Sequence, residues 1–261
     1  MRNTRGLKWI SLAVSLFVLA VVSTPWEGVA EGATLTVTTN VDSNDGTCDT
    51  NCSLREAIAA AASGDTVSIP ADTYTLTVGE LVIGKNLTLS GNGAASTFIQ
   101  AATSAGTATS RVFKITSGVV KISGVTVRNG NPSSGEGGGI HNSGALTLSF
   151  SAVSSNTAAS GGGIYNNSSA ALTIATSTIS QNTANSGGGI FNRGATTVTD
   201  SAVDSNTGGS GFGGGIFNTG GAMTLNKSTV SNNNSPTRGG GIYKRYRSGS
   251  PRGSLPQGPQ Q

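Results

Sequence analysis

The stretch "GGGIYNNSSAALTIATSTISQN" (residues 161–182) holds the three segments that recur along the chain. A glycine run ends on Ile164, Tyr165 and Asn166 follow, and two short apolar segments, "LTI" from Leu172 and "STISQN" from Ser177, complete the unit. The same order returns with Ile140, Ile190, Ile216 and Ile242 closing the run, at intervals of 24, 26, 26 and 26 residues. A regular return at this length marks a solenoid. Each segment is a few residues of alternating apolar character bounded by Gly, Ser or Asn, which reads as strand and turn and is too short for a helix. The leucine framework of a leucine-rich repeat is missing. The prediction is an all-β chain, a parallel β-helix solenoid with three short strands per coil of about 25 residues.

The periodicity also predicts which side chains meet. Ile140, Ile164, Ile190 and Ile216 form one inward column, Leu148, Ile174, Val198 and Leu225 a second, and Val153, Ile179, Val203 and Val230 a third. Asn142, Asn166, Asn192 and Asn218 fall at one corner, a structural role in which stacked amides bond to each other and to turn backbone. Glycines supply positive φ at another corner. Looser coils precede the glycine-rich ones, in "DTVSIP" with "YTLT", "ELVIGKNLTLSGNG" with "TFIQ", and residues 111–130. Residues 65–243 then make about seven coils, roughly 30–35 Å of stack.

Composition fits this reading. Gly contributes 39 of 261 residues while aromatics make up 5% and charged residues 11%, a balance suited to strands and tight turns. The formal charge of +4 comes from the two ends: residues 31–243 carry 9 Lys and Arg against 11 Asp and Glu, a balance of −2. No basic patch lies on the repeats, so no nucleic-acid partner is expected. Residues 1–30 read as a signal peptide: Arg2, Arg5 and Lys8, an apolar run over residues 9–22, and small residues ending at Ala30. Export places the chain in an oxidising compartment, where Cys48 and Cys52 are expected to form a disulfide. A metal site from this C-x-x-x-C lacks further ligands, since His141 is the one histidine, and no cofactor is implied.

Residues 31–64 read as an N-terminal cap. Ser53 and Glu56 form a capping box, Leu54 and Ile58 share a helix face, and Gly64 is expected to stop the helix. The strand "TLTVTT" from Thr34 joins this cap. The stretch "DGTCDTNCSLREAI" resembles the CSLREA motif that opens many exported bacterial β-helix proteins. "VSSNTA" followed by "GGGIY" resembles the repeat of polymorphic outer membrane proteins, with Gly for Ala and Val or Ile for Phe. The resemblance covers roughly residues 34–243. It implies a right-handed, pectin-lyase-like β-helix in a secreted or surface protein, and transfers no catalytic residue.

Candidate sites are few. The repeats hold three carboxylates, Glu136, Asp200 and Asp204. Asp200 and Asp204 could approach across a bend with Arg193 one strand earlier, which defines the enzymatic alternative, since glycosidases need two flanking carboxyl groups. Asp204 takes the place of Ser154, Ser180 and Ser231, which reads equally as a solvated surface charge. "GGSGFGGGI" from Gly208 nearly matches a calcium-binding nonapeptide but has Gly213 in place of the ligand Asp. Tyr165, Phe191, Phe217 and Tyr243, with His141 in the first copy, point outward by strand alternation. This ladder either binds sugar or protein or stacks on itself and covers the sheet.

At Lys244 the corner Asn is lost, and residues 244–261 turn basic and proline-rich. A frameshifted or truncated end is the expectation for this tail. The sequence favours a non-catalytic secreted or cell-surface module of a bacterium, adhesin-like or envelope-structural, that holds a glycan or surface protein through its repetitive faces. Membrane association would come only through export or a lost C-terminal anchor. The alternative is a polysaccharide lyase or glycoside hydrolase of the pectin-lyase type.

Overall fold

Ile140, Ile164, Ile190, Ile216 and Ile242 lie in register on successive rungs of one parallel sheet. The structure, a computed structural model, describes residues 32–133 and 135–245. The expected leader and residues 246–261 of the expected tail lie outside the described residues. The chain winds as a right-handed parallel β-helix of about seven turns. In chain order along a coil, sheet 1 has seven strands and contains Ile164–Asn166, sheet 2 has eight and contains Ala171–Ala175, and sheet 3 has seven and contains Thr178–Ser180. The second and third predicted columns are also in register, Leu148 with Ile174, Val198 and Leu225, and Val153 with Ile179, Val203 and Val230. Most of these side chains are fully buried. At about 25 cal/mol per Å² of apolar area removed from water, each such Ile contributes roughly 1.5–3 kcal/mol.

Three features depart from the expectation. The glycine-rich coils carry a fourth strand, with Thr157–Ser160, Thr183–Ser186 and Thr207–Gly208 forming a small sheet 4. Its residues are small enough to run extended between sheet 3 and the glycine run, adding a strand to the three per coil that the period predicts. The helix Leu54–Ala60 stops well before Gly64, because Ala61 is already extended (φ −55°, ψ 136°) and the Asp65 carboxylate accepts the Ala62 N–H. Lys244 continues the last strand, Ile242–Lys244, opposite Asn218.

Asn142, Asn166, Asn192 and Asn218 do stack at the corner after sheet 1, the first three donating Nδ2 to the next Oδ1 at 2.8, 2.9 and 3.3 Å and Asn218 donating to the Gly221 carbonyl. A second amide ladder, not expected, follows sheet 3: Asn156, Asn182, Asn206 and Asn233. The Asn182 side chain donates to Asn206 Oδ1 (3.0 Å) and to the Val153 carbonyl (2.9 Å). Its own Oδ1 accepts the Asn156 N–H and side-chain amide, at 3.0 and 2.9 Å. Both donors and the acceptor are satisfied with no water, which permits complete burial. The glycine run is the other half of this device. A Cβ at Gly163 would sit 3.0 Å from the Asn182 amide nitrogen and 2.6 Å from the Gly189 carbonyl oxygen. Only glycine leaves room for the amide, so "GGG" and the last Asn of "STISQN" are one structural unit.

The N-terminal rung is closed by the helix and by charge. Ser53 and Glu56 form the predicted capping box, and Glu56 Oε1 also accepts the Asp45 N–H. These backbone donors, Ser53 first, hold the Glu56 carboxyl below the usual carboxylate range. Leu54, Ala57 and Ile58 are buried against the core. Arg55 forks onto Asp42 (2.9 and 3.1 Å) and donates to the Gly79 and Glu80 carbonyls, while Asp42 accepts the Thr77 and Val78 N–H groups. Cys48 and Cys52 form a disulfide.

Asn182→Ala takes away the acceptor of the Asn156 N–H and one donor to the Val153 carbonyl in a dry site, and is expected to cost about 2–4 kcal/mol. Asn167→Ala, at a partly exposed position on the corner, should cost less than about 0.5 kcal/mol. Denaturant midpoints of the two variants check this, and equal midpoints would refute the buried ladder's role. Arg55→Ala strands the buried Asp42 carboxylate and should cost about 3–5 kcal/mol. Hydrogen exchange should show that loss concentrated in the cap and first rungs.

Candidate functional site

Sheet 1 carries the predicted column on its outer side: His141, Tyr165, Phe191, Phe217 and Tyr243 follow one another in register, and Lys114 precedes them on the rung before His141. The rings are nonetheless largely shielded from solvent, Tyr165 at 2% and Phe217 at 5% exposure. Two causes are visible. Gly161, at φ +64°, folds the chain back so tightly that a Cβ there would lie 2.4 Å from the Ile164 carbonyl. The same turn at Gly137 and Gly213 lays the preceding residue beside the column, Glu136 against His141 and Phe212 beside Phe217 and Tyr243. The rings also cover each other: His141 stacks on Tyr165 at 5.2 Å and Tyr165 on Phe191 at 5.1 Å, while Phe217 meets Phe191 edge-on at 5.0 Å. Ring faces that would receive a sugar are taken by neighbouring rings, and the column acts as an outer apolar seam.

The upper end of this column gathers charges that the sequence did not connect. Arg111 pairs with Glu80 (2.7 Å), Lys114 approaches the same carboxylate (3.6 Å), and Glu136 lies 3.6 Å from His141 Nε2. Arg193 donates to the Tyr165 hydroxyl at 3.2 Å, and Glu136 acts on that same hydroxyl. Burial pushes the Tyr165 phenol above its usual value. Burial, then the Arg111 charge, pushes His141 below 6.5 against the opposing pull of Glu136. His141 is therefore neutral near pH 7, with its Nδ1 buried and unpartnered, as is Arg111 Nε. No sequence signal pointed here, because these residues come from different coils and meet only through the register.

The residues of the enzymatic alternative are distributed differently. Asp200 occupies a left-handed corner (φ +48°) between sheets 2 and 3, and Asp204 ends the sheet 3 strand Ala202–Asp204. Asp204 stands in register with Ser180 and Ser231, as expected. Its carboxylate accepts from Ser231 Oγ (2.7 Å), Asn232 Nδ2 (2.8 Å) and Ser205 Oγ (2.8 Å), and these bonds, Ser231 first, hold its pKa below the usual range. A general acid needs the opposite shift. Arg193 lies before the sheet 2 strand Ala195–Thr199 and Asp200 beyond its far end, about 16 Å of strand apart. The fold does not bring Arg193 to the two aspartates. Among the described residues no group of three or more His, Cys, Asp or Glu side chains is placed to hold a metal ion.

Sheet 3 also bears an open groove of about 550 Å³, floored by Thr126, Ala152, Ser154 and Ser180 and overhung by Thr103, Ser104 and Ala105. The overhang is an insertion, residues 101–110, tied down by Asn129 Nδ2 to the Ala102 carbonyl (3.0 Å) and Asn131 Nδ2 to the Gly106 carbonyl (3.1 Å). The sequence gives no hint of it, since the insertion shares nothing with the repeat. No family model, curated protein or solved structure matches the chain.

His141 yields a pH prediction. The folded imidazole resists protonation that the unfolded chain accepts at about 6.5, so the unfolded state binds more protons below that pH and stability falls as pH drops through it. The slope should vanish in His141→Phe, which keeps a ring in the stack. Because the chain has one histidine, a single imidazole resonance reports the shift directly, and a folded-state pKa at or above 6.5 would contradict it.

Proposed function

We propose that this chain is an exported, non-catalytic β-helix module, secreted or held at a bacterial surface, that works by holding a glycan or a surface protein on its repetitive outer faces. The observation that carries the reading is the division of labour across each sheet. Inward positions hold the apolar columns, and the Asn and Gly columns satisfy the corners, so folding makes little demand on the outward residues of sheet 3. Those residues change from rung to rung: Gln100, Arg128, Ser154, Ser180, Asp204 and Ser231 share one column. Such variation over a constant frame is how solenoids present binding surfaces. The Cys48–Cys52 disulfide suits a compartment outside the cytosol and agrees with the leader and with the CSLREA resemblance.

A polysaccharide-active enzyme is the second reading. The observation favouring it is the Glu136, His141 and Tyr165 group, where a half-exposed carboxylate adjoins a neutral imidazole and a phenol. A carbohydrate-array screen run beside an assay for new reducing ends and unsaturated products separates the two. The expected result is retention of specific oligosaccharides, or of a surface protein, with no product released. Product formation that is lost in Glu136→Gln would overturn the non-catalytic reading.

A further inference from the structure

The geometry points to the groove over sheet 3 as a binding site for an extended, hydroxyl-rich chain, with Arg128 receiving an acidic substituent on it. This inference rests on the reading that the module binds rather than cleaves, and adds the place and the ligand chemistry. Its first support is the state of the polar groups lining the groove. Among the described residues, the Ser154, Ser155 and Ser180 hydroxyls and the Gln181 amide make no side-chain hydrogen bond within the chain. One rung further the same two columns are closed, because Asp204 gathers Ser205, Ser231 and Asn232. The groove therefore offers free donors and acceptors over two rungs, about 4.8 Å apart, and ends where a carboxylate consumes them.

The second support is Arg128. Its guanidinium carbon lies 4.2 Å over the Phe98 ring, and its Nε donates to Gln100 Oε1 at 2.8 Å. Gln100 is itself held by Thr75 Oγ1 at 2.8 Å. The ring and the amide fix the plane of the fork, and its two terminal amino groups have no ion-pair partner among the described residues. A guanidinium held in this way suits two parallel hydrogen bonds to a carboxylate or a sulfate. No carboxylate lines the groove, so an acidic chain meets attraction at Arg128 and no repulsion until Asp204. The remaining contacts are hydroxyl and amide groups matched to the hydroxyls of a sugar chain. Since the Arg128 side chain covers the Phe98 ring face, ring stacking adds little, and affinity depends on the charge and on salt.

Calorimetric titration of the full chain with three probes tests this: a linear hexauronate, a sulfated hexasaccharide and neutral cellohexaose. Both acidic probes should bind at least about tenfold tighter than cellohexaose at low salt. Arg128→Gln should abolish that preference. Ser180→Tyr, which fills the floor, should abolish binding of the acidic probes, whereas Ser231→Tyr, in the same column outside the groove, should not. Should Ser180→Tyr fail to fold, Ser154→Tyr one rung away reports on the same floor. Binding that survives both floor variants would overturn the groove while leaving a glycan-binding module intact. Equal affinity for acidic and neutral probes would remove the role of Arg128. Wild-type protein that binds none of the three probes would overturn this inference, and the array screen would then decide the broader reading by itself.

Discussion

The structure depends on the buried contact between an asparagine amide and a glycine backbone. Asn156, Asn182 and Asn206 are fully buried, and each satisfies its whole amide with the rung above, the rung below and a strand carbonyl. An amide buried without those partners would cost several kcal/mol. The partners exist only if neighbouring coils are aligned residue for residue. The glycine column enforces the same alignment sterically, since at Gly139, Gly163, Gly189 and Gly215 any side chain would strike an Asn amide or a carbonyl of the next rung. A slip by one residue would bury a polar face and expose the Ile column as well. Register is thus held by hydrogen bonding, by volume and by the hydrophobic effect together.

This explains why non-glycine residues tolerate left-handed corners. Phe150, Thr176, Asp200 and Lys227 share one such corner at φ 47–48°. That conformation is costly for a β-branched or bulky residue. It persists because the following serine column ties each rung to the next: the Ser151 N–H reaches Ser177 Oγ and the Ser177 N–H reaches Ser201 Oγ, both at 3.1 Å. Asp200 therefore stands where it does by a turn rule that accepts Phe, Thr and Lys equally, which weakens any argument for a special role from its position.

The two outer faces divide along the same logic. On sheet 1 the tight glycine turn folds each coil over its own aromatic, so the outward column becomes a second, thin apolar layer crowned by ion pairs. On sheet 3 nothing folds back over most of the face, and only the insertion at residues 101–110 stands over its upper rungs. Free hydroxyls, open space and a guanidinium fixed by a ring and an amide coincide there.

The period, the three inward columns, the first Asn corner, the capping box and the Cys48–Cys52 pair were all legible in the sequence. In a solenoid, residues one period apart are neighbours, so a pattern along the chain is already a contact map. The second ladder was visible too, as the final Asn of "SAVSSN" and "STISQN", but its meaning needed the glycines packed over it. The tertiary structure alone decided the burial of Tyr165 and Phe217, the Arg55–Asp42 lock, the meeting of Glu136 with His141, and the groove beside Arg128. Each of these depends on how far a turn bends or where a non-repeating segment comes to lie. Those are properties of backbone direction in space, and no periodicity of side chains encodes them.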